Sequence, residues 1–219
     1  MAAREKQADP RPNPRLYLIT PRIGDAAALV APLEAAWTAG DVAAVLLRLA
    51  DTDERSLINR AKALCPVVQS RGVALILDGH ADLVARAGAD GAHLTGIAAF
   101  VAAVEQLKPQ RIAGAGGLAS RHDAMLAAEA GADYVMFGEP DRAGRRPAFE
   151  AIKERVAWWA EVFESPCVAY AAALEEVAPL VAAGADFIAL GDFIWRDPTE
   201  TVPLIALAKQ QLALPETAA

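Results

Sequence analysis

Cysteine is nearly absent from this chain. Its 219 residues hold two, Cys65 and Cys167, which form neither a disulfide framework nor a metal spacing and read as small buried side chains. Positive charge is also in short supply, with 21 Lys and Arg against 28 Asp and Glu and a formal net charge of −7. That balance argues against nonspecific nucleic-acid binding, while leaving room for a local basic pocket that takes a small anion. No apolar run is long or charge-free enough to span a bilayer, so no membrane partner is expected. The opening stretch MAAREKQADPRPNPR lacks an apolar signal-peptide core and is rich in charge and proline. Residues 1–14 are therefore expected to form a flexible N-terminal tail, and the protein is expected to be cytoplasmic.

What the chain does have is a repeated phrase. GAD occurs at Gly88, Gly131 and Gly184, and a worn copy, GDVAAVLLR, begins at Gly40. Each follows an alanine-rich helical stretch and precedes a short, wholly apolar run. Glycine suits the left-handed end of a helix, and runs such as VMF and IAL suit parallel strands buried on both faces. Between the marked strands lie unmarked ones: RLYLIT near Leu16, VALILD from Val73, RIAGAG from Arg111 and PCVAY from Pro166. Taken in order, these make eight strands, each followed by a helical pattern, with the marked strands as the even ones. With 54% hydrophobic residues for one core, the pattern predicts a single-domain α/β protein over residues 15–219, a (β/α)8 TIM barrel. An open doubly wound sheet is the alternative.

Chemistry in such a barrel sits where strands end. The exits present Thr20, Pro21 and Arg22; Arg48; Asp78, Gly79 and His80; His93 and Thr95; Gly114, Gly116 and Gly117; Gly138 and Glu139; Tyr170; and Gly191 and Asp192. Arg48, Asp78, His80, His93 and Glu139 are the candidate catalytic residues, since carboxylates and imidazoles meeting at one rim can act as acid and base. His93 also has a plainer reading as a packed histidine satisfied by a backbone group. Arg22, Arg142, Arg145 and Arg146 suit a phosphate, because guanidinium forks match that anion, and Gly191 lies at the last exit. His122 is read as a surface residue, because Ser120 and Asp123 look like a helix N-cap with an acidic first turn. Trp158 and Trp159 point roughly 100° apart on a helix, so one exposed ring would offer a homodimer surface, whereas a wide apolar stripe would bury both.

The ordered phrases LYLIT, LLRLA, LILDGHADLVARAGADGAHLTG, GADYVMFGEP and PCVAYAAALEEVAPLVAAGADFIALGDFI resemble the thiamine phosphate synthases and their thiazole-tautomerase relatives of the TenI type. The resemblance runs from Arg15 onward. It implies thiamine biosynthesis, with a thiazole phosphate nitrogen displacing pyrophosphate from a hydroxymethylpyrimidine diphosphate, a phosphorylated small heterocycle as ligand, and Mg2+ as cofactor. The residues depart from it at the diphosphate end. Where the family's second strand ends Gln-x-Arg-x-Lys, this chain has Leu46, Arg48 and Ala50. Where the third ends Asn-Asp, it has Asp78 and Gly79, and the second magnesium aspartate falls at about Ala98. Asp78 and Asp192 are the carboxylates left as candidate metal ligands. A Gly-Gly pair after the seventh strand is replaced by Tyr170 and Ala171 or Ala172, and a threonine-and-lysine loop by EPDRAGRRPAF. Three functions stay open at this point: the family transferase, a proton-transfer isomerase on a small heterocycle, and a non-catalytic small-ligand-binding or regulatory barrel.

Overall fold

The computed structural model describes residues 13–141 and 143–213. The expected tail lies outside them except for Asn13 and Pro14, and so does Arg142. Eight strands alternate with eight helices: β1 (Arg15–Ile19), α1 (Ala27–Ala39), β2 (Val42–Leu47), α2 (Glu54–Gln69), β3 (Ala74–Asp78), α3 (Val84–Ala87), β4 (Gly91–Thr95), α4 (Ile97–Leu107), β5 (Ile112–Gly116), α5 (Arg121–Glu129), β6 (Tyr134–Phe137), α6 (Phe149–Val162), β7 (Cys167–Ala171), α7 (Val177–Ala182), β8 (Phe187–Leu190) and α8 (Thr201–Gln211). Neighbouring strands pair in sequence order, and β8 pairs in parallel with β1, so the sheet closes into a barrel. The doubly wound alternative is excluded. Among the described residues no helix is long and apolar enough to cross a membrane.

Side-chain alternation divides the interior in two. On β1, Leu16 and Leu18 turn out to the helices while Tyr17 and Ile19 turn into the lumen. The outer shell is large and aliphatic. The lumen is smaller and holds Ala44, Leu46, Ile76, Met136, Val168 and Ala189 beside the inward aromatics. Two clean period-2 faces arise because every strand is covered on both sides.

The repeated tripeptide has a physical job beyond ending a helix. Gly88, Gly131 and Gly184 all sit at positive φ, as the left-handed turn requires. The aspartate that follows then grips the start of the preceding strand with two hydrogen bonds. Asp90 donates its backbone N–H to Leu75 O at 2.9 Å and accepts the Leu75 N–H on Oδ2 at 2.7 Å. Asp133 does the same to Ala113, at 2.9 and 2.7 Å. Asp186 does so to Cys167, at 3.1 and 2.8 Å. A first-strand amide that would otherwise be orphaned in a buried layer is thereby satisfied. The worn copy departs in both respects. Gly40 is extended, with φ −157, and Asp41 turns its carboxylate to Arg15, at 2.8 Å.

Outside the barrel, Ser120 and Asp123 form a complete capping box on α5, which leaves His122 exposed in the first turn. The tryptophans fall between the two alternatives. Trp159 is fully buried and donates Nε1–H to Ser165 O at 2.7 Å. Trp158 is half-buried, with the Arg121 guanidinium 4.8 Å from its ring centre and Phe163 against its edge.

The clamp yields a measurable expectation. Replacing Asp90 with Ala strands the Leu75 N–H in a buried layer, and we expect a stability loss of about 1–3 kcal/mol in urea unfolding. A change within about 0.5 kcal/mol, the size of an ordinary surface substitution, would show that the clamp is dispensable.

Candidate functional site

The chain contains three tyrosines, and all three, Tyr17, Tyr134 and Tyr170, point into the lumen. A buried phenol needs a partner for its hydroxyl. Tyr17 Oη lies 2.8 Å from Tyr134 Oη, and Tyr134 Oη lies 3.1 Å from His93 Nδ1. Strand β5 makes room for this chain of hydroxyls by being glycine where the ring passes. A Cβ on Gly114 would sit 2.1 Å from Tyr134 Cζ. One step toward the mouth, a Cβ on Gly116 would sit 2.2 Å from Glu139 Oε1 and 2.4 Å from His93 Nε2. The carboxyl and the imidazole thus converge over Gly116, in the volume that a side chain there would need. Glu139 also accepts the Gly117 N–H.

Asp78 completes this half of the mouth. It is the register partner of His93 on the neighbouring strand, and it faces inward because Ile76, two residues earlier, does. Burial pushes the Glu139 carboxyl up to about 7, against the pull of the Gly117 amide and with a small push from the Asp78 charge. Burial holds His93 down at about 4, with Asp78 drawing it the other way. Burial likewise raises Tyr17 and Tyr134 above the ordinary phenol range. Near neutral pH the site therefore holds a neutral imidazole, neutral phenols and one carboxyl balanced between its two forms.

The other half of the mouth is built from ion pairs. Arg48 reaches across from β2, donates from Nε to Thr20 O and pairs with Asp192 beyond β8. Arg146 donates to Gly138 O at 3.0 Å and Tyr170 O at 3.2 Å, and grips both oxygens of Glu176 at 2.8 and 2.9 Å. Tyr170 lies beneath, its hydroxyl 2.2 Å from where a Gly191 Cβ would be.

The sequence-derived candidates thus divide into two groups. Asp78, His93 and Glu139 come together. Arg48 and Asp192 meet each other and not that trio, and Asp192 is paired, not a bare carboxylate. His80 is half-buried at the start of the short 3-10 turn after β3 and joins neither group. Arg22 is exposed, with its guanidinium 3.5 Å from Leu49 O. Arg145 is spent on Asp141 within its own loop, at 2.8 Å. His93 is satisfied by Tyr134, a side chain, and not by a backbone group. Tyr17, Tyr134 and Glu176 were missed. Three tyrosines at inward strand positions were the available signal for the first two; Glu176, in a turn after β7, had none.

Magnesium does not fit these residues. The ion wants a near-octahedral set of oxygens anchored by one or two free carboxylates. Asp192 is held by Arg48, burial pushes the Glu139 carboxyl up to about 7, and the position that the resemblance gives a second aspartate falls at about Ala98, which leaves Asp78 as the remaining candidate carboxylate. Among the described residues no three His, Cys, Asp or Glu side chains gather as a ligand set.

Comparison with known proteins agrees with this architecture. The family described as Thiamine monophosphate synthase matches residues 16–194. A thiamine-phosphate synthase of Rhodospirillum centenum is 42% identical over 200 residues, covering 88% of this chain and 94% of its own. One from Hyphomonas neptunium is 39% identical, covering 86% and 89%. Among solved structures, a thiamine phosphate pyrophosphorylase from Pyrococcus furiosus superposes with a TM-score of 0.74 at 21% identity, over 92% of this chain and 96% of its own. That likeness concerns the fold alone.

The raised Glu139 carboxyl fixes a sign for pH dependence. The folded protein keeps this proton after the unfolded chain has lost it, so the group's contribution to stability is full below about 4.5 and is lost as pH rises through about 7. We expect the stability difference between wild type and Glu139→Gln to fall across that window and level off above it. Urea titrations of both proteins at several pH values measure it, and a flat difference would place the ionisation of Glu139 in the ordinary range.

Proposed function

The chain belongs to the thiamine monophosphate synthase family, and from that premise we propose that it is a divergent thiamine-phosphate-synthase-like protein of thiamine biosynthesis, with the small heterocycle of its reaction bound at the strand-exit mouth. One observation carries the reading. The Glu139 carboxyl and the His93 imidazole, which converge over Gly116, lie at the end of the barrel where this fold does its chemistry. Joining a thiazole nitrogen to a pyrimidine methylene breaks a carbon–oxygen bond and leaves pyrophosphate with concentrated negative charge. Stabilising that charge as it develops takes fixed cations or a metal. Here Arg48 and Arg146 already face Asp192 and Glu176, and Ala50 and Ala98 replace a lysine and a metal carboxylate of the family pattern. The coupling step is therefore weak in this protein.

The same geometry favours a second reading, proton transfer on the bound heterocycle. One hydrogen bond joins Tyr134 Oη to His93 Nδ1, which leaves Nε2 as acceptor or donor over Gly116, where Glu139 Oε1 also lies. A carboxyl that titrates near neutrality beside a neutral imidazole can take a proton from one ring position and return it to another. Arg155 contributes a positive field at Glu139 that partly offsets its burial, so the carboxylate form remains accessible.

The discriminating assay supplies thiazole phosphate, pyrimidine diphosphate and magnesium, with an active family enzyme as control. We expect turnover about 100-fold or more below the control, the scale on which losing transition-state charge stabilisation acts. Turnover comparable to the control and abolished by Asp78→Ala would establish a magnesium site built on Asp78 and overturn the reading.

A further inference from the structure

In barrels of this kind the exits of strands seven and eight are the usual place for a ligand's phosphate, held by backbone amides and a nearby cation. Here the first amide beyond β7 and the cation beside it are both taken by the chain itself. The Ala172 N–H, first amide beyond β7, donates to Glu176 Oε2 at 2.8 Å. The Arg146 guanidinium donates to both oxygens of the same carboxylate at 2.8 and 2.9 Å. Arg146 and Glu176 are about equally sheltered, with 20% and 18% of their side chains exposed, so water screens the pair poorly and a passing anion does not easily replace it. Across the gap Asp192 neutralises Arg48, and the Tyr170 hydroxyl fills the space over Gly191.

We infer that Glu176 is a specificity-determining residue that stands in for a ligand phosphate, so that the molecule bound at this mouth carries no phosphate at its β7–β8 end and presents an uncharged hydrogen-bond donor, such as a hydroxyl, to the two carboxylates. This rests on the reading of the mouth as a heterocycle site, and it revises the phosphorylated ligand expected from the arginines. The physical ground is charge and geometry together. A phosphate entering here would lie against Glu176 and Asp192, and it would find Arg146 and the Ala172 amide taken. A hydroxyl meets two acceptors and no repulsion. Glutamate in a helical turn after β7 reaches back four residues to the Ala172 amide, so the blocking group is built into the loop that would otherwise cradle the anion.

Two measurements test it. In the first, inorganic phosphate is titrated against wild type and Glu176→Gln at constant ionic strength, with chloride as the comparison salt and thermal stability as readout. The glutamine keeps an acceptor for the Ala172 N–H and frees the Arg146 charge. Phosphate is expected to stabilise the variant and to leave the wild type unmoved beyond the chloride effect. Equal stabilisation of both proteins, or of neither, overturns the inference. In the second, a thiazole alcohol and its phosphate ester are compared on wild type by calorimetry, which needs no variant to fold. The alcohol is expected to bind about tenfold tighter or more, since a charge-assisted contact is lost and a repulsion gained by the ester. An ester that binds tighter than the alcohol overturns the inference. If neither heterocycle binds, the proposed function fails, and the phosphate titration still decides the role of Glu176.

Discussion

The reciprocal aspartate clamp at the N-terminal ends of the strands is the interaction on which this barrel is organised. A parallel barrel has no hairpins to set register, so each strand must be located relative to a neighbour some tens of residues away in sequence. Asp90, Asp133 and Asp186 do this with one backbone and one side-chain bond each, made to a single residue of the preceding strand. Two bonds to one residue fix position along the strand as well as contact. Register fixed there determines which side chains face inward, since a one-residue slip would exchange the lumen for the outer shell. The fourth clamp is replaced by an exposed ion pair, Arg15 with Asp41, where β1 meets the start of β2.

With register set below, the lumen above can hold polar groups that a poorly aligned barrel could not satisfy. Tyr17, Tyr134 and His93 form one connected set, and each has a partner of its own. Burial keeps all three neutral, and the glycines of β5 supply the width they need. Glu139 sits at the top of this column, where one amide bond supports its charge and burial opposes it. The balance between those two effects is what gives the mouth a group able to change protonation near neutrality.

Charge at the mouth is settled within the chain. Arg48 with Asp192 ties the exits of β2 and β8, and Arg146 with Glu176 ties those of β6 and β7. Pairs of this kind brace the rim, and they remove the free cations that a diphosphate would need. The protein has the family's barrel, and its strand exits carry ion-paired carboxylates on one side and an acid–imidazole pair where the lumen opens.

The sequence by itself determined the barrel. Apolar runs of strand length, glycine at each marked helix end and the tandem order of eight units are local properties, and their sum leaves little choice of topology. It also determined the rim, because strand exits can be read from where each apolar run stops, and Asp78, His93 and Glu139 stand there in the structure as they do in the sequence. Only the tertiary structure decided how the rim residues pair. Arg48 and Asp192 are 144 positions apart and Tyr17 and Tyr134 are 117 apart, and no local signal links either couple. Glu176 carried no signal in the sequence, and it became the occupant of an anion site because the fold carried Arg146 and the Ala172 amide to it. Strand identity comes from periodicity along the chain, whereas partnership comes from closure of the barrel, and closure is a property of all eight strands at once.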